Sequence, residues 1–233
     1  FLHNVQGAMM HGEPGFSFNF GAQENETLRN ACTEVTSEDD SDVCNLGSIN
    51  MGAIETIEEF REVVGLASKF LVCGTLKADL PYDKVRKVRE RNRRLGLGLR
   101  GMHEWLLKRG YSYEMNDELR KWLEVYRDES ERAADEHCDR LYLNRPKGYR
   151  AIAPTGTIGI LACTTTGIEP VYSVAYKRRY LVNGTDWKYE VVVYSVAEKL
   201  LRDHGVKPED IETAVNLAGD RDRRVAFQAD VQD

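Results

Sequence analysis

The spacing of apolar residues changes character at Ile54. From there positions 57, 60, 63, 64, 67, 70 and 71 recur every three or four residues, which predicts an amphipathic helix to about Leu76, stopped by Pro81. The preceding stretch has no helical period. It is rich in breakers (Gly12, Pro14, Gly15, Gly21, Asn25, Asn30) and runs into the acidic segment Ser37–Asp42, so strand and ordered loop are expected over 1–50. A chain that follows strand and loop with amphipathic helices must bury one kind of element against the other, which points to an α/β fold.

Further along, a second helical stretch is expected from about Tyr82 through the basic Arg86–Arg94, continuing or restarting toward Trp105 and ending near Gly110. Asn116 is placed to cap a long charged helix with Leu119, Trp122, Leu123, Tyr126 and Ala133 on its apolar face, ending before Pro146. Tyr149 to Ala153 reads as a short strand, Pro154-Thr155-Gly156-Thr157 as a turn, and Ile158 to Cys163 as the start of a helix. Val171–Val182 reads as extended, Asn183-Gly184 as a turn, and Glu190–Gly205 and Pro208 to about Leu217 as helices. No repeat or linker divides the chain, so 1–50 and 51–233 are expected to form one unit.

Lys and Arg total 32 against 38 Asp and Glu, a formal charge of −6, which argues against a protein that coats nucleic acid. Mean hydropathy is −0.50, and no run approaches the roughly 18 apolar residues of a membrane span, so no membrane partner is expected. The chain starts at Phe1 without an initiator Met or a signal-peptide pattern, and reads as a piece of a longer protein. Five scattered cysteines suit a reducing cytoplasm better than a disulfide scaffold. Cys73, on a helical stripe, and Cys138, on a charged helix, read as structural or incidental; the five histidines lack metal-ligand spacing, and no metal is expected.

Three clusters carry chemistry. In Asn30-Ala31-Cys32-Thr33-Glu34 an extended backbone would put amide, thiol and carboxylate on one face. The thiol can serve as nucleophile or hydrogen-atom donor, the carboxylate as general base and the amide as an orienting group, although a polar turn that contains a cysteine fits the same residues. In Val43–Asn50, Cys44 returns beside Cys32 if the acidic segment is a hairpin loop; alone, a cysteine beside Asn and Gly reads as packing. Ala153–Gly159 has the makings of a phosphate cradle, with Pro and Gly shaping a turn, two Thr hydroxyls and helix N–H groups, but it lacks the lysine of a Walker A loop. Gly96–Gly101 matches GxGxxG by letter yet follows the basic run instead of a strand, so its glycines are read as sites of close helix packing. The basic run itself reads as a solvated helix face or a surface for an acidic partner.

Gly12-Glu13-Pro14-Gly15-Phe16, Asn30-x-Cys32-x-Glu34, Cys44-Asn45-Leu46-Gly47-Ser48-Ile49-Asn50, Arg94-Leu95-Gly96-Leu97-Gly98, Ala153-Pro154-Thr155-Gly156-Thr157-Ile158 and Thr166-Gly167-Ile168-Glu169-Pro170 stand in an order that resembles the catalytic subunit of ribonucleotide reductase. Ala226–Gln232 extends the likeness, and the wording is most similar to the adenosylcobalamin-dependent class II enzymes, with class I large subunits second. The resemblance implies part of a ten-stranded α/β barrel with a central finger loop. It implies that Cys32 is the radical cysteine that takes the ribose 3′ hydrogen, Glu34 the base at the 3′ hydroxyl, Asn30 a holder of the ribose hydroxyls and Cys44 one member of the reducing dithiol. Pro154, Thr155, Gly156, Thr157 and Ile158 would bind the substrate phosphates. Implied cofactors and partners are adenosylcobalamin, or otherwise a radical from a metal-containing small subunit, a ribonucleoside di- or triphosphate, a thioredoxin-like reductant, the remainder of the barrel and a second copy in a homodimer. Ala31 departs from the proline usual in class II, and the mate of Cys44 belongs upstream of this chain, so the piece alone is expected to be inactive. The alternative is a non-catalytic half-barrel that binds nucleotide phosphates or partner chains.

Overall fold

A computed structural model describes residues 1–16 and 25–232; Gly21 and the rest of the expected strand and loop over 17–24 lie outside the described residues. In chain order the elements are α1 (Leu2–His11), β1 (Leu28–Arg29), β2 (Thr36–Ser37), β3 (Asn45–Asn50), α2 (Ile57–Lys77), α3 (Asp83–Asn92), β4 (Leu95–Arg100), α4 (Met102–Lys108), α5 (Asp117–Arg140), α6 (Gly156–Leu161), β5 (Ala175–Val182), β6 (Asp186–Val193), α7 (Ser195–His204), α8 (Ala214–Leu217) and α9 (Arg221–Gln232).

The two long helices form where their caps and periods place them. Thr56 accepts the Glu59 N–H at 3.2 Å to start α2, and Asn116 accepts the Leu119 N–H at 2.9 Å to start α5. Phe60 on α2 meets Trp122 on α5 with ring centroids 4.8 Å apart, and Trp105 of α4 closes edge-on against Trp122 at 5.1 Å. Cys73 near the end of α2 meets His137 near the end of α5, so the two helices run in the same direction. That follows from what they connect. β3 and β4 pair in parallel from Asn45↔Leu95 to Asn50↔Arg100, and Leu97 bridges in parallel to Arg150 on the other side of β4. Each return crosses over through helices, as parallel pairing requires. The result is α/β as expected, with Ile49, Leu97, Leu99, Met102 and Trp105 buried between sheet and helices. The described residues supply β3, β4 and one bridged segment of such a sheet, and do not show a closed ten-stranded barrel.

Four expectations are corrected. Residues 2–11 are the helix α1, which buries none of its side chains. The glycines of Gly96–Gly101 lie on β4 and at its end, not in a helix: Arg93 turns left-handed at φ 42°, ends α3 and releases a strand whose Leu95, Leu97 and Leu99 are all buried. A Cβ at Gly98 would sit 2.6 Å from the Ala151 carbonyl oxygen, so the residue is small to admit the neighbouring strand segment. Glu190–Val193 belongs to β6, and the helix expected there starts only at Ser195. The helix expected from Pro208 breaks into a 3₁₀ turn, Pro208–Asp210, and the short α8. The Asn183-Gly184 turn forms, with φ of 52° and 78°, and joins β5 to β6 in an antiparallel hairpin. Among the described residues no helix is long and apolar enough to cross a membrane.

His103 joins the main core to a smaller one around Val171, Val196 and Leu200. It is wholly buried, its Nδ1 accepts the Val171 N–H at 2.8 Å, and burial followed by the nearby Arg223 drops its pKa to about 4. Between the ordinary value of 6.5 and about 4 the unfolded chain therefore binds a proton that the folded chain does not. Stability is full above pH 6.5 and falls as pH drops through that window. Thermal midpoints measured across it should fall more steeply for the native chain than for His103→Asn, which keeps an acceptor but cannot titrate; equal slopes would show that His103 is not held neutral.

Candidate functional site

β1 and β2 pair antiparallel through Leu28↔Ser37 and Arg29↔Thr36, which leaves 30–35 as the tip of a small hairpin. Asn30 closes that tip. Its backbone N–H donates to the Val35 carbonyl at 3.3 Å, its Oδ1 accepts the Val35 N–H at 3.1 Å, and its carbonyl accepts the Thr33 N–H at 3.0 Å. Thr33 is left-handed at φ 66°. The segment is thus a tight turn, and the expectation that Asn30, Cys32 and Glu34 share one face of a strand is corrected, because the amide oxygen is spent on folding the loop. Cys32 stands exposed at the tip. Glu34 is half-buried, and its Oε2 is buried without a hydrogen-bond partner among the described residues.

The base of the hairpin is pinned by charge. Arg94 reaches Asp42 at 2.7 Å and Glu26 at 2.5 Å, and its side chain and that of Asp42 are each only 6% exposed. Asp42 also accepts from Ser37 at 2.7 Å and Asn92 at 2.9 Å. Lys84 pairs with Asp40 at 2.5 Å, Arg91 pairs with Asp39, and Lys147 pairs with Glu38. The amide of Asn92 and the guanidinium of Arg91 hold the Asp39 carboxyl below its ordinary range. Part of the basic run thus finds an acidic complement in its own chain, Arg91 at Asp39 and Arg94 at Asp42, while Arg86, paired with Asp83, and Lys87 stay on the solvated helix face that was expected. These anchors were missed from sequence, although two oppositely charged runs of similar length were the available signal.

Cys44 closes the acidic segment and leads into β3. Burial pushes its thiol up to about 12, with Arg94 pulling it down and Asp42 and Glu34 adding to the rise. A Cβ at Gly96 would lie 2.8 Å from its sulfur, so glycine on β4 makes room for the thiol. Cys44 and Asn30 line one cavity of about 380 Å³ between the hairpin and the acidic segment; Cys32 and Glu34 lie outside its lining.

The second region follows the bridged segment 149–151. Thr155 turns left-handed at φ 51° and begins α6, whose first internal bond runs from the Gly159 N–H to the Thr155 carbonyl at 2.8 Å. The N–H groups of Gly156, Thr157 and Ile158 thus have no partner within the helix, and all three residues are exposed. Thr155 Oγ1 accepts the Gly167 N–H at 2.9 Å, which ties the turn to Thr166–Pro170 and leaves the hydroxyl proton free to donate. Pro154 is exposed at the head of the turn.

Comparisons with known proteins bear on the family and the fold. The family model for the ribonucleotide reductase barrel domain matches residues 12–126 and 145–229. A protein of Mycobacterium phage D29, provisionally named an adenosylcobalamin-dependent ribonucleoside-triphosphate reductase, is 32% identical over 187 residues, covering 75% of this chain and 27% of its own. The vitamin B12-dependent ribonucleoside-diphosphate reductase of Thermoplasma acidophilum is 28% identical over 200 residues, 76% of this chain and 26% of its own. A crystal structure of a B12-dependent class II ribonucleotide reductase superposes with a TM-score of 0.69 over 89% of this chain and 33% of that one; at 17% identity it shows the shared fold. The chain spans about a quarter to a third of the length of these relatives. A small hairpin, a parallel β3–β4 pair and a bridged segment leading through a turn into α6 thus occur within a chain matched along most of its length, and the chain belongs to the ribonucleotide reductase barrel-domain family.

Proposed function

We propose that this chain is the finger-loop and barrel portion of an adenosylcobalamin-dependent ribonucleotide reductase, which converts a ribonucleoside di- or triphosphate to its 2′-deoxy form in the cytoplasm. The observation that carries the reading is the hairpin, with one thiol exposed at its tip and a second, Cys44, half-buried where the same segment enters β3.

In this reading Cys32, as a thiyl radical, takes the 3′ hydrogen of the ribose: an S–H bond forms as the C–H bond breaks. Glu34 accepts the proton of the 3′ hydroxyl, a role that its partnerless buried oxygen suits. Asn30 keeps its amide NH₂ for a ribose hydroxyl while its oxygen folds the loop. The 2′ hydroxyl leaves as water, and the two electrons come from Cys44 and a second thiol of the longer protein, which become a disulfide for a thioredoxin-like reductant to reopen. The raised pKa of Cys44 keeps that thiol protonated, as a hydrogen donor must be. Cys32 then returns a hydrogen atom to C3′. Pro154, Thr155, Gly156, Thr157 and Ile158 receive the phosphates through free N–H groups and hydroxyls. Adenosylcobalamin, when bound, supplies the radical, and the names of the relatives favour it over a metal-containing small subunit. The exposure of Cys32 fits a radical source that reaches the tip from outside the chain, and no described residue is assigned to hold the corrinoid. The rest of the barrel and a second copy complete the enzyme, and the isolated piece is inactive because the mate of Cys44 lies elsewhere.

The test is a reductase assay on the complete protein with adenosylcobalamin supplied. Native protein forms deoxyribonucleotide. Glu34→Gln keeps nucleotide binding and loses about 10²- to 10⁴-fold in turnover, the usual worth of a positioned general base. Undiminished turnover would remove Glu34 from the reaction.

A further inference from the structure

On the outer side of the paired helices a third thiol meets a histidine. Cys73, which the sequence reads as structural or incidental, is exposed, and its Sγ lies 3.4 Å from His137 Nε2. The other ring nitrogen, Nδ1, is 2.6 Å from Arg140 Nη2. A guanidinium can only donate, so Nδ1 accepts. Burial, then Arg140 and Lys69, hold the imidazole below its ordinary pKa, so near neutral pH the ring carries a single proton. With Nδ1 accepting, that proton sits on Nε2 and points at sulfur. An N–H aimed at sulfur, flanked by two cations, is complementary to the charge that sulfur carries when it attacks as a thiolate.

The other cysteines lack this arrangement. Cys44 and Cys138 have thiols pushed up by burial. Cys32 and Cys163 are exposed but have no imidazole against them among the described residues.

We propose that Cys73 is a site of S-thiolation, at which the thiolate exchanges with a small anionic disulfide drawn by Lys69 and Arg140. Cys73 Sγ attacks one sulfur of the disulfide; a mixed disulfide bond forms as the old S–S bond breaks, and the leaving thiolate takes the electron pair. The protein thiol is oxidised, half of the reagent is reduced to a thiol, and the Cys73 proton passes to water. The site is separate from Cys32 and Cys44 and does not depend on their assigned roles.

The complete protein treated with a limiting amount of dithiobis(nitrobenzoate), a dicarboxylate disulfide, and mapped by mass spectrometry should carry the label on Cys73 ahead of Cys32 and Cys163. His137→Ala should slow labelling at Cys73 roughly tenfold, in keeping with the loss of a hydrogen bond to a charged group, and leave Cys163 unchanged. An uncharged hydroxyethyl disulfide should show a smaller preference for Cys73. His137→Asn, whose amide can still donate, should recover part of the rate and guards against a folding artefact. Labelling of Cys73 no faster than of Cys163, or at a rate indifferent to His137, would overturn the proposal.

Discussion

Serine at position 32 in the complete protein, with adenosylcobalamin supplied, should abolish measurable deoxyribonucleotide formation while leaving folding and nucleotide binding intact. An O–H bond is much stronger than an S–H bond, so a serine oxygen cannot exchange a hydrogen atom with the ribose as the proposed thiyl does. The structure gives the substitution little else to disturb. Cys32 is exposed, and the turn that presents it is held by Asn30, Val35 and Thr33. A surface change of this kind moves stability by no more than about 0.5 kcal/mol. Turnover, nucleotide binding and thermal midpoint measured on one preparation separate the outcomes. Residual turnover above background would take the radical role away from Cys32, whereas the Glu34→Gln protein should retain a measurable remnant.

The second large effect falls on stability. Arg94→Met leaves the buried carboxylate of Asp42 and the half-buried one of Glu26 without their shared cation. Breaking a buried pair in this way costs about 3–5 kcal/mol, which for a chain of this size lowers the thermal midpoint by on the order of 10 °C. Adding Asp42→Asn removes one stranded charge and should recover part of the loss. If Arg94→Met alone costs less than about 1 kcal/mol, the network behaves as a surface ion pair and does not anchor the hairpin.

What could be read from the chain depended on whether an element's signal is local. α2 and α5 were legible because Thr56 and Asn116 cap them and their apolar residues keep a helical period. β4 was not, because a strand buried on both faces shows no alternation; its Leu-Gly repeat looked like the tail of the basic helix, and only the left-handed Arg93 separates the two. α1 buries nothing, so no apolar stripe announced it. The identities of the candidate site residues were legible, but their arrangement was not. The rule that side chains two apart share a face holds for an extended strand, and the contacts of Asn30 with Val35 bend this segment into a turn. Arg94 and Asp42 could not be paired from sequence because the contact that joins them is tertiary, between residues 52 positions apart.

The parallel sheet has a bearing on how the chain assembles. Asn45 meets Leu95, and Leu97 meets Arg150, so each pairing closes a loop of about fifty residues before any ladder bond can form. The caps and periods of α2 and α5 need no such closure. Helices of this kind form within microseconds, whereas sheets built from distant strands lie at the slow end of folding rates. On the ribosome β3 must therefore wait through the synthesis of α2 and α3 for its neighbour, with its backbone edge open to other chains. Nascent copies made at high density are for that interval one another's competitors for the place that β4 will take.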